Sequence, residues 1–330
     1  MSVGDWRNRG DIMYDVVALG ELLIDFTPAG LSENGNVLFE RNPGGAPANV
    51  VALLAKLGKK TGFIGKVGDD EFGRFLHQVL QEKGISPEGL VLDAKEQTTL
   101  AFVHLQPNGE RSFSFYRKPG ADTRLRSDEI DPGMLDTRIF HFGSLSLTAE
   151  PARSATKEAL SILQDRDVLI SYDPNLRPLL WQSLDEARRE MLDVMPRADI
   201  VKMSSEELEF LTGSKHLEEA SQQLQETYGL KMLLVTMGKK GCYYRLGDLC
   251  GHMPGFKVRS IDATGAGDAF LGAILFQILR HNKDLAEWTA EDLARSVRFA
   301  NATGALVTTK KGAIPAMPNL NEIRQLLEDD

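Results

Sequence analysis

One short segment of the sequence combines a glycine-rich turn with a single carboxylate. The segment Ser260 to Ala273 reads SIDATGAGDAFLGA, and Asp268 directly follows Gly265, Ala266 and Gly267. At the start of a helix, such a turn brings bare backbone N–H groups close to a phosphate. A carboxylate beside this anion hole could accept the proton of an attacking hydroxyl, which is worth roughly a hundred- to ten-thousand-fold in rate. The alternative is that Asp268 only caps the helix, and the segment taken alone favours that role.

Two better-known phosphate motifs do not fit this turn. A dinucleotide fingerprint needs glycine at its sixth position, where Phe270 stands, and it belongs early in a chain rather than late. The Walker pattern of a glycine-rich loop ending in Lys and Ser or Thr occurs nowhere in the sequence. The helix predicted from Ala269 to about Leu279 is apolar on nearly every face, which predicts its burial. Its positive end would then act in a low dielectric, where it stabilises an anion more strongly.

Composition narrows the class of protein. The 330 residues are 26% charged and 42% hydrophobic, as is typical of globular proteins, and the net charge of −9 argues against a nucleic-acid partner. No apolar run reaches the length of a membrane span, and the polar start MSVGDWRNRG lacks the apolar core of a signal peptide. Cys242 and Cys250 lie near His252, but three residues without a fourth ligand make a poor zinc site. The sequence therefore predicts a cytoplasmic protein with no membrane partner and with reduced cysteines.

Strand-like and helical runs alternate along most of the chain. Strands are predicted at 15–20, 61–68, 138–145, 167–173, 198–203 and 231–238, and helices at 47–58, 183–195 and 216–228. This alternation predicts an α/β fold with a mostly parallel central sheet and helices on both of its faces. We expect a single domain over residues 14–330, preceded by a disordered tail over 1–13.

Two segments break this alternation. Residues 26–45 and 98–120 have the pattern of antiparallel ribbons, and Pro107-Asn108-Gly109 in the second is a hairpin signal. Together they predict a small β lid, built from about 25–44 and 98–121, that projects from one edge of the domain. Ligands of open α/β sheets bind beyond the carboxyl ends of the strands, which is where such a lid could close.

The ordered motifs of the chain resemble those of the ribokinase-like (PfkB) carbohydrate kinases. DATGAGDAFLGA resembles the C-terminal signature of that family, and NPGGAPANVVALLAKLG (42–58) resembles its N-terminal signature. Further similar segments run from about Tyr14 to Pro318, among them GELLIDFTP, DPNLRPLLW, SSEELEFLTG and TMGKKG. The GGAPAN segment and the FYR-x-x-x-AD pattern are most similar to fructokinases. The resemblance implies a three-layer ribokinase-like fold with a β lid.

The resemblance also implies roles for individual residues on the sugar side. Asp268 takes the position of the catalytic base, and Gly265, Ala266 and Gly267 form the anion hole. The positions that match sugar-binding or cleft-closing residues of the family are Asp25, Gly44, Gly45, Asn49, Arg117 and Arg177.

On the nucleotide side, the resemblance implies binding of ATP, Mg²⁺ and a potassium-like ion. Glu207 matches the glutamate linked to the magnesium shell. The positions near the nucleotide are Thr236, Gly238, Gly241 and Asn301. The backbone carbonyls at the monovalent-ion position belong to Asp262, Thr264, Val307, Lys310 and Gly312.

Two departures from the family pattern affect these implications. Ser204 replaces the asparagine of the N-x-x-E motif, but serine can still hold a water of a magnesium shell. Ala263 replaces the usual Thr or Ser after Asp262, which removes a hydroxyl but no carbonyl, so we expect a tuned ion site.

Several of these residues have simpler readings. Asp25 could start a turn after its strand, and Gly44-Gly45 could be a turn before the next helix. SSEELEF also fits a capped helix start, which would account for Glu207 without a metal. Arg117 interrupts an alternating strand, where an exposed arginine is unremarkable.

The resemblance implies an ATP-dependent kinase that phosphorylates fructose or a similar small sugar, with ADP as second product. The alternatives are a kinase for another substrate, notably 2-keto-3-deoxygluconate, and a sugar-sensing relative without catalysis. A sugar-sensing relative could lose Asp268 or the glycines before it, but this sequence retains Asp268, Gly265 and Gly267. The lid could pair two subunits into a homodimer, because projecting sheets expose edges and apolar faces.

Overall fold

A computed structural model describes residues 13–105 and 111–329 of the chain. Thirteen strands are found in these ranges: β1 (Tyr14–Leu19), β2 (Leu23–Leu31), β3 (Val37–Gly44), β4 (Thr61–Gly68), β5 (Ile85–Asp93), β6 (Leu100–Leu105), β7 (Arg111–Tyr116), β8 (Thr137–Gly143), β9 (Leu169–Asp173), β10 (Ile200–Ser204), β11 (Met232–Thr236), β12 (Cys242–Leu246) and β13 (Leu249–Met253). The α-helices of the same ranges are α1 (Ala46–Lys56), α2 (Glu71–Glu82), α3 (Ala152–Gln164), α4 (Leu184–Asp193), α5 (Ser205–Thr212), α6 (Leu217–Tyr228), α7 (Ala266–His281), α8 (Ala290–Val307) and α9 (Leu320–Asp329).

Nine of these strands form one central sheet. Its order is β13-β12-β11-β10-β9-β8-β1-β4-β5, and the pairs from β11 to β5 are all parallel. The last two strands, β12 and β13, add an antiparallel hairpin at one edge. The expected mostly parallel sheet is therefore confirmed, and its carboxyl ends line one edge of the molecule.

Alternation along the strands divides the core into two layers. In β1, Val16 and Ala18 belong to one hydrophobic cluster, while Val17 and Leu19 belong to the other. The first cluster contains the apolar residues of α1, α7 and α8, and the second contains those of α3, α4 and α6. Because successive side chains of a strand point to opposite faces, helices cover the sheet on both sides, as expected.

A second sheet has the order β3-β2-β6-β7. β2 pairs with β3 and β6 with β7 in antiparallel fashion, and β2 joins β6 in parallel. These are the two predicted ribbons, and they meet in one small sheet. The predicted turn at Pro107-Asn108-Gly109 and the predicted tail, apart from Met13, lie outside the described residues.

The predicted helices and strands of the main sheet differ from the observed ones mainly at their ends. The strand expected at 138–145 ends at Gly143, because Ser144–Leu147 forms a 3-10 turn. The hairpin cysteines differ in exposure, since Cys242 is buried in β12 and Cys250 is exposed in β13, and both are free thiols. No helix in the described ranges is long and apolar enough to cross a membrane.

Candidate active site

Asp268 lies in the first turn of the buried helix α7. Gly265 is the N-cap residue, with a φ of 78° that favours glycine, and no side chain caps the helix there. Asp268 is the third helical residue, and its Oδ2 accepts a hydrogen bond of 2.7 Å from Nδ2 of Asn49. The contact with α1 shows that Asp268 does more than cap its own helix, and the positive helix end also favours its charge.

Helix α1 brings the GGAPAN segment against α7. A Cβ at Gly44 would lie 2.1 Å from Oδ2 of Asp25, so a larger residue there would displace that carboxylate. Gly45 has a φ of 120° and precedes α1, and an added Cβ would lie 2.3 Å from the carbonyl oxygen of Glu21. Asn49, buried on α1, then reaches Asp268. The two glycines thus allow a close approach of backbone and carboxylates.

Asp25 and Asp268 face the same cavity, which has a volume of about 360 Å³. Its polar side chains come from five separate parts of the chain and belong to Glu21, Asp25, Asn49, Asn175, Arg177, Lys202, Thr264 and Asp268. Gly265 and Gly267 also line it, so the expected anion hole opens towards these carboxylates. The structure therefore brings together most of the predicted sugar-side residues at the carboxyl edge of the sheet.

Burial holds the pKa values of the carboxyl groups in this cavity above their ordinary range. Burial raises the pKa of Asp25 to about 7, against the opposing charge of Arg177 and with the support of Asp262 and Asp268. Burial also raises the pKa of Asp268, opposed by the Lys202 ammonium and the hydrogen bond from Asn49. A carboxyl group with a raised pKa is a better proton acceptor once it is ionised.

Arg117, which the resemblance places among the sugar-binding or cleft-closing residues, is not among the residues that line this cavity. Its Nε donates to Asp122 at 2.8 Å, one terminal nitrogen donates to Thr148 at 2.8 Å, and the other donates to the Leu145 carbonyl at 2.9 Å. The side chain is 4% exposed and forms an ion pair with Asp122. All three nitrogens therefore hold the segment after β7 in place. The sequence does not indicate this pairing, because Arg117 and Asp122 are both polar and neither residue type predicts burial.

Glu207 holds two backbone segments together. Oε2 accepts from the Ser204 amide at 2.7 Å, Oε1 accepts from the Leu176 amide at 2.6 Å, and the Ser204 hydroxyl caps α5 in return. The capping box that the sequence suggested is present. Both carboxylate oxygens thus accept hydrogen bonds from the backbone. Glu207 lines neither the cavity around Asp268 nor the second cavity that adjoins it.

A second cavity of about 400 Å³ adjoins the first one. It is lined mainly by small and apolar residues, with Thr236, Gly238 and Gly241 on one side. Asn301 also lines it and donates from Nδ2 to the carbonyls of Met253 and Pro254, at 3.1 and 3.0 Å. These bonds fix the chain segment opposite α8. The predicted nucleotide-side residues therefore share one apolar cavity.

The two cavities have common walls at Ala263 and Gly267. The first cavity, lined by the carboxylates, is a polar chamber, and the second is an apolar chamber. The amides of the turn before Asp268 consequently lie between these two chambers. Such a placement suits a group that passes from a ligand in one chamber to a ligand in the other.

The turn after α8 packs against the segment that precedes the anion hole. The amide of Gly312 donates to Oδ2 of Asp262 at 3.1 Å, while Oδ1 accepts from the amide and hydroxyl of Thr264 at 2.9 and 2.7 Å. The amide of Asp262 donates in turn to the Thr308 carbonyl. Val307 ends α8, and Lys310 follows within the same turn. The five residues expected around a monovalent ion thus come from two segments joined by hydrogen bonds.

Metal ligands of other kinds are scarce. No group of three or more His, Cys, Asp or Glu residues that could hold a metal ion occurs within residues 13–105 and 111–329. A divalent ion at this site would consequently depend on oxygen ligands from a bound phosphate and water, as Mg²⁺ commonly does.

Two buried charged residues of the polar chamber were not among the residues predicted from the sequence. Glu21 accepts a hydrogen bond from the Ala46 amide at 2.8 Å, and burial raises the pKa of its carboxyl to about 7. Lys202, in β10, forms a 2.9 Å ion pair with Asp173 at the end of β9. The signal for both was a charged residue within or directly after an apolar strand, since such residues are almost never buried without a partner.

Comparison with known proteins identifies the class. Residues 13–320 match the pattern of the pfkB family carbohydrate kinases. This chain belongs to that family.

Three similar proteins are each described as a fructokinase. Fructokinase-1 of Zea mays is 47% identical over 316 residues, which cover 95% of this chain and 97% of that protein. The structure of a fructokinase with bound ATP from Xylella fastidiosa superposes with a TM-score of 0.87 at 35% identity, covering 96% of this chain and 99% of that one. A fructokinase double mutant from Vibrio cholerae O395, in a form with bound fructose, ADP and potassium ion, has a TM-score of 0.85 at 34% identity, covering 97% and 100%.

Proposed function

We propose that this protein is an ATP-dependent fructokinase that converts fructose and ATP into fructose 6-phosphate and ADP. The observation that carries the proposal is the meeting of two cavities at the turn before Asp268. Curated relatives named fructokinase that are 47% and 46% identical over 95% of the chain support the choice of sugar.

In the proposed reaction, Asp268 accepts the proton of the sugar hydroxyl as that oxygen attacks the γ-phosphorus. The bond between the γ-phosphorus and the bridging oxygen breaks, and ADP leaves with that oxygen. The backbone amides of residues 265–267 stabilise the charge that develops on the transferred group. Removal of one such donor typically costs roughly a hundred- to a thousand-fold in turnover.

On the sugar side, we assign Asp25 and Asn49 as hydroxyl partners, with Gly44 and Gly45 providing the close approach. A carboxylate can accept hydrogen bonds from two hydroxyls in strong, charge-assisted geometry. Arg177, exposed at the rim of the cavity, is the arginine that reaches the sugar and phosphates. Arg117 supports the second sheet through Asp122 and contributes to closure indirectly.

On the nucleotide side, we place adenine in the apolar cavity beside Asn301 and the phosphates near Thr236, Gly238 and Gly241. Mg²⁺ would supply positive charge to the phosphates when it is bound with them. We assign Glu207 and Ser204 to the water shell of that ion. Both oxygens of Glu207 already accept backbone amides, so Glu207 would reach the ion through water.

A monovalent cation, most simply K⁺, completes the proposal. The carbonyls of Asp262, Thr264, Val307, Lys310 and Gly312 would hold it, and it would order the turn that forms the anion hole. The described structure is compatible with this assignment, since hydrogen bonds join the two segments. The potassium-bound fructokinase from Vibrio cholerae O395 supports it.

The small sheet acts as a lid over the sugar and excludes water, which competes as a nucleophile. We also propose that a second copy of the chain covers its exposed apolar residues, which include Leu31, Val37 and Tyr116 at 66%, 55% and 66% exposure. The cytoplasm is the proposed compartment, because both cysteines are free thiols.

The test is ADP release with ATP, Mg²⁺ and a panel of fructose, ribose, glucose and 2-keto-3-deoxygluconate. We expect the highest kcat/KM with fructose, and nuclear magnetic resonance of the product should show phosphate on carbon 6. The relatives do not favour the sugar-acid alternative. Activity on 2-keto-3-deoxygluconate without activity on fructose would overturn the proposal.

A further inference from the structure

Lys202 is a buried lysine at the edge of the proposed transfer site. Its side chain is 8% exposed, yet it lines the same cavity as Asp25 and Asp268. A Cβ added at Gly267 would lie 2.8 Å from its Nζ, so the ammonium lies directly beside the anion hole. A lysine in the middle of an apolar strand is costly to bury, which calls for a physical reason.

The ammonium is held in place by one neighbour. Its hydrogen bond goes to Oδ2 of Asp173, at 2.9 Å, and Asp173 is itself 1% exposed at the end of β9. An ammonium has three N–H donors, so this pairing leaves it the capacity to bind other acceptors that enter the cavity.

Charged groups surround Lys202 from several elements. Burial by itself would lower the pKa of Lys202, but Asp173 on β9, Glu207 on α5 and Asp268 on α7 outweigh it and raise that pKa. Two further groups face it without adding charge at neutral pH. Burial lowers the pKa of His141 on β8 to about 3, and burial raises the pKa of the Cys242 thiol on β12. Lys202 therefore remains an ammonium over the pH range in which enzymes are assayed.

We propose that Lys202, oriented by Asp173, is a further residue of the phosphoryl-transfer site, and that its ammonium supplies positive charge shared by the anion hole and Asp268. This inference rests on the proposed kinase function and adds a residue to it. The backbone amides of residues 265–267 donate hydrogen bonds but carry no net charge. The ammonium adds a full positive charge next to them, where a low dielectric strengthens its attraction for phosphate oxygens.

The positive charge of Lys202 also acts on Asp268, the proposed base. Among the charged groups, Lys202 is the strongest influence that lowers the pKa of Asp268 against the effect of burial, ahead of Arg177. The lysine thus favours the ionised carboxylate that can accept a proton. In this respect Lys202 acts as a positioning residue, and the pH profile reports it separately from turnover.

The experiment compares Lys202→Met and Lys202→Arg with Lys66→Met. Lys66 is a matched control, because it is also a buried strand lysine, paired with Asp93 and Glu129, and it lines neither cavity. We expect Lys202→Met to reduce kcat with fructose and ATP by about a hundredfold, as for the loss of one oxyanion donor. The acid limb of its kcat/KM profile should move to higher pH, since Asp268 loses the positive charge beside it.

Lys202→Arg retains the charge and should restore the position of the acid limb. Lys66→Met should lose stability without moving that limb. If Lys202→Met and Lys66→Met show equal losses of kcat with unchanged acid limbs, Lys202 is merely structural and the inference is wrong.

Unpaired Asp173 could prevent Lys202→Met from folding, so a double variant with Asp173→Asn is included. It buries no uncompensated charge, and its free energy of unfolding should recover while turnover stays low. Recovery of turnover together with stability would overturn the inference. Its failure differs from failure of the proposed function, in which the unaltered protein itself would release no ADP with any sugar of the panel.

Discussion

Asp268 and Asp292 occupy the same position, the third residue, in helices α7 and α8. Hydrogen bonds from the Thr289 backbone and hydroxyl lower the pKa of Asp292 to about 2, whereas burial raises the pKa of Asp268. The difference arises because Asp292 accepts the hydrogen bonds of a capping box, whereas at Asp268 burial outweighs the hydrogen bond from Asn49. The same residue type at the same helical position thus serves helix stability in one case and, in our proposal, chemistry in the other.

Asp268→Asn should reduce kcat by several orders of magnitude, because the amide cannot accept the hydroxyl proton. An acid–base contribution of about a hundred- to ten-thousand-fold sets the scale. Fructose affinity, measured by calorimetry, should stay within a fewfold of the unaltered protein. Asp292→Asn is the matched control and should affect the free energy of unfolding alone. Near-normal turnover of Asp268→Asn would exclude it as the base.

Asp25→Asn should stabilise the protein while it weakens sugar binding. With a pKa of about 7, Asp25 holds its proton more tightly in the folded protein than in the unfolded chain. The free energy of unfolding therefore falls as pH rises from the ordinary carboxylate range towards 7. The variant lacks this loss, so urea unfolding should show a gain over the unaltered protein at about pH 8 and little gain at about pH 4.

Asp248→Asn serves as the control for this pH dependence, because Asp248 is exposed in the turn between β12 and β13. Its stability should follow that of the unaltered protein at both pH values. A pH-independent effect of Asp25→Asn would show that the carboxyl group is not perturbed by burial.

At the scale of elements, α5 links the nucleotide side to the loop after β9. Glu207 closes a capping box with Ser204 and also accepts the Leu176 amide, and Arg177 follows directly on that loop. One carboxylate thereby sets the end of β10, the start of α5 and the approach of a cavity-lining arginine. Its structural role is clear from these contacts, and its proposed role towards magnesium requires a separate measurement.

Glu207→Ala should lower the free energy of unfolding by about 1–2 kcal/mol, as expected for a lost cap and an unpaired amide. It should also raise the Mg²⁺ concentration needed for half-maximal activity. Asp292→Ala removes the equivalent acid of the α8 capping box and should reproduce the stability loss alone. An unchanged Mg²⁺ requirement in Glu207→Ala would restrict this residue to its capping role.

At the scale of the whole molecule, the small sheet leaves several apolar side chains exposed among the described residues. Besides Leu31, Val37 and Tyr116, the exposed apolar residues there include Leu38, Phe39 and Phe113, at 46%, 37% and 39% exposure. Val37, Leu38 and Phe39 are consecutive in β3, so both faces of the sheet carry exposed apolar side chains. Large exposed apolar patches commonly mark protein interfaces. The same sheet contributes Phe113 and Phe115 to the polar chamber, so closure and association would involve one element.

We expect the protein to sediment as a dimer at micromolar concentration. Leu31→Lys combined with Val37→Glu, on paired positions of β2 and β3, should shift it to monomer by placing charges in the interface. Leu179→Lys changes an equally exposed leucine outside the sheet, at 72% exposure, and should not alter the mass. A monomeric unaltered protein would leave the sheet as a lid alone.

The sequence by itself determined the order of strands and helices, the apolar helix α7 and the motif-bearing turns, because period and turn chemistry are local properties. It also indicated Asp25, Asn49 and Asp268 as site residues, but it placed Asp25 after a strand, whereas Asp25 lies within β2. Only the tertiary structure decided that Asn49 meets Asp268 across 219 positions, that Asp122 engages Arg117, and that Asp173 holds Lys202. Such pairings depend on which strands become neighbours and on which polar groups must find partners when water is excluded, and neither property is written in any one segment.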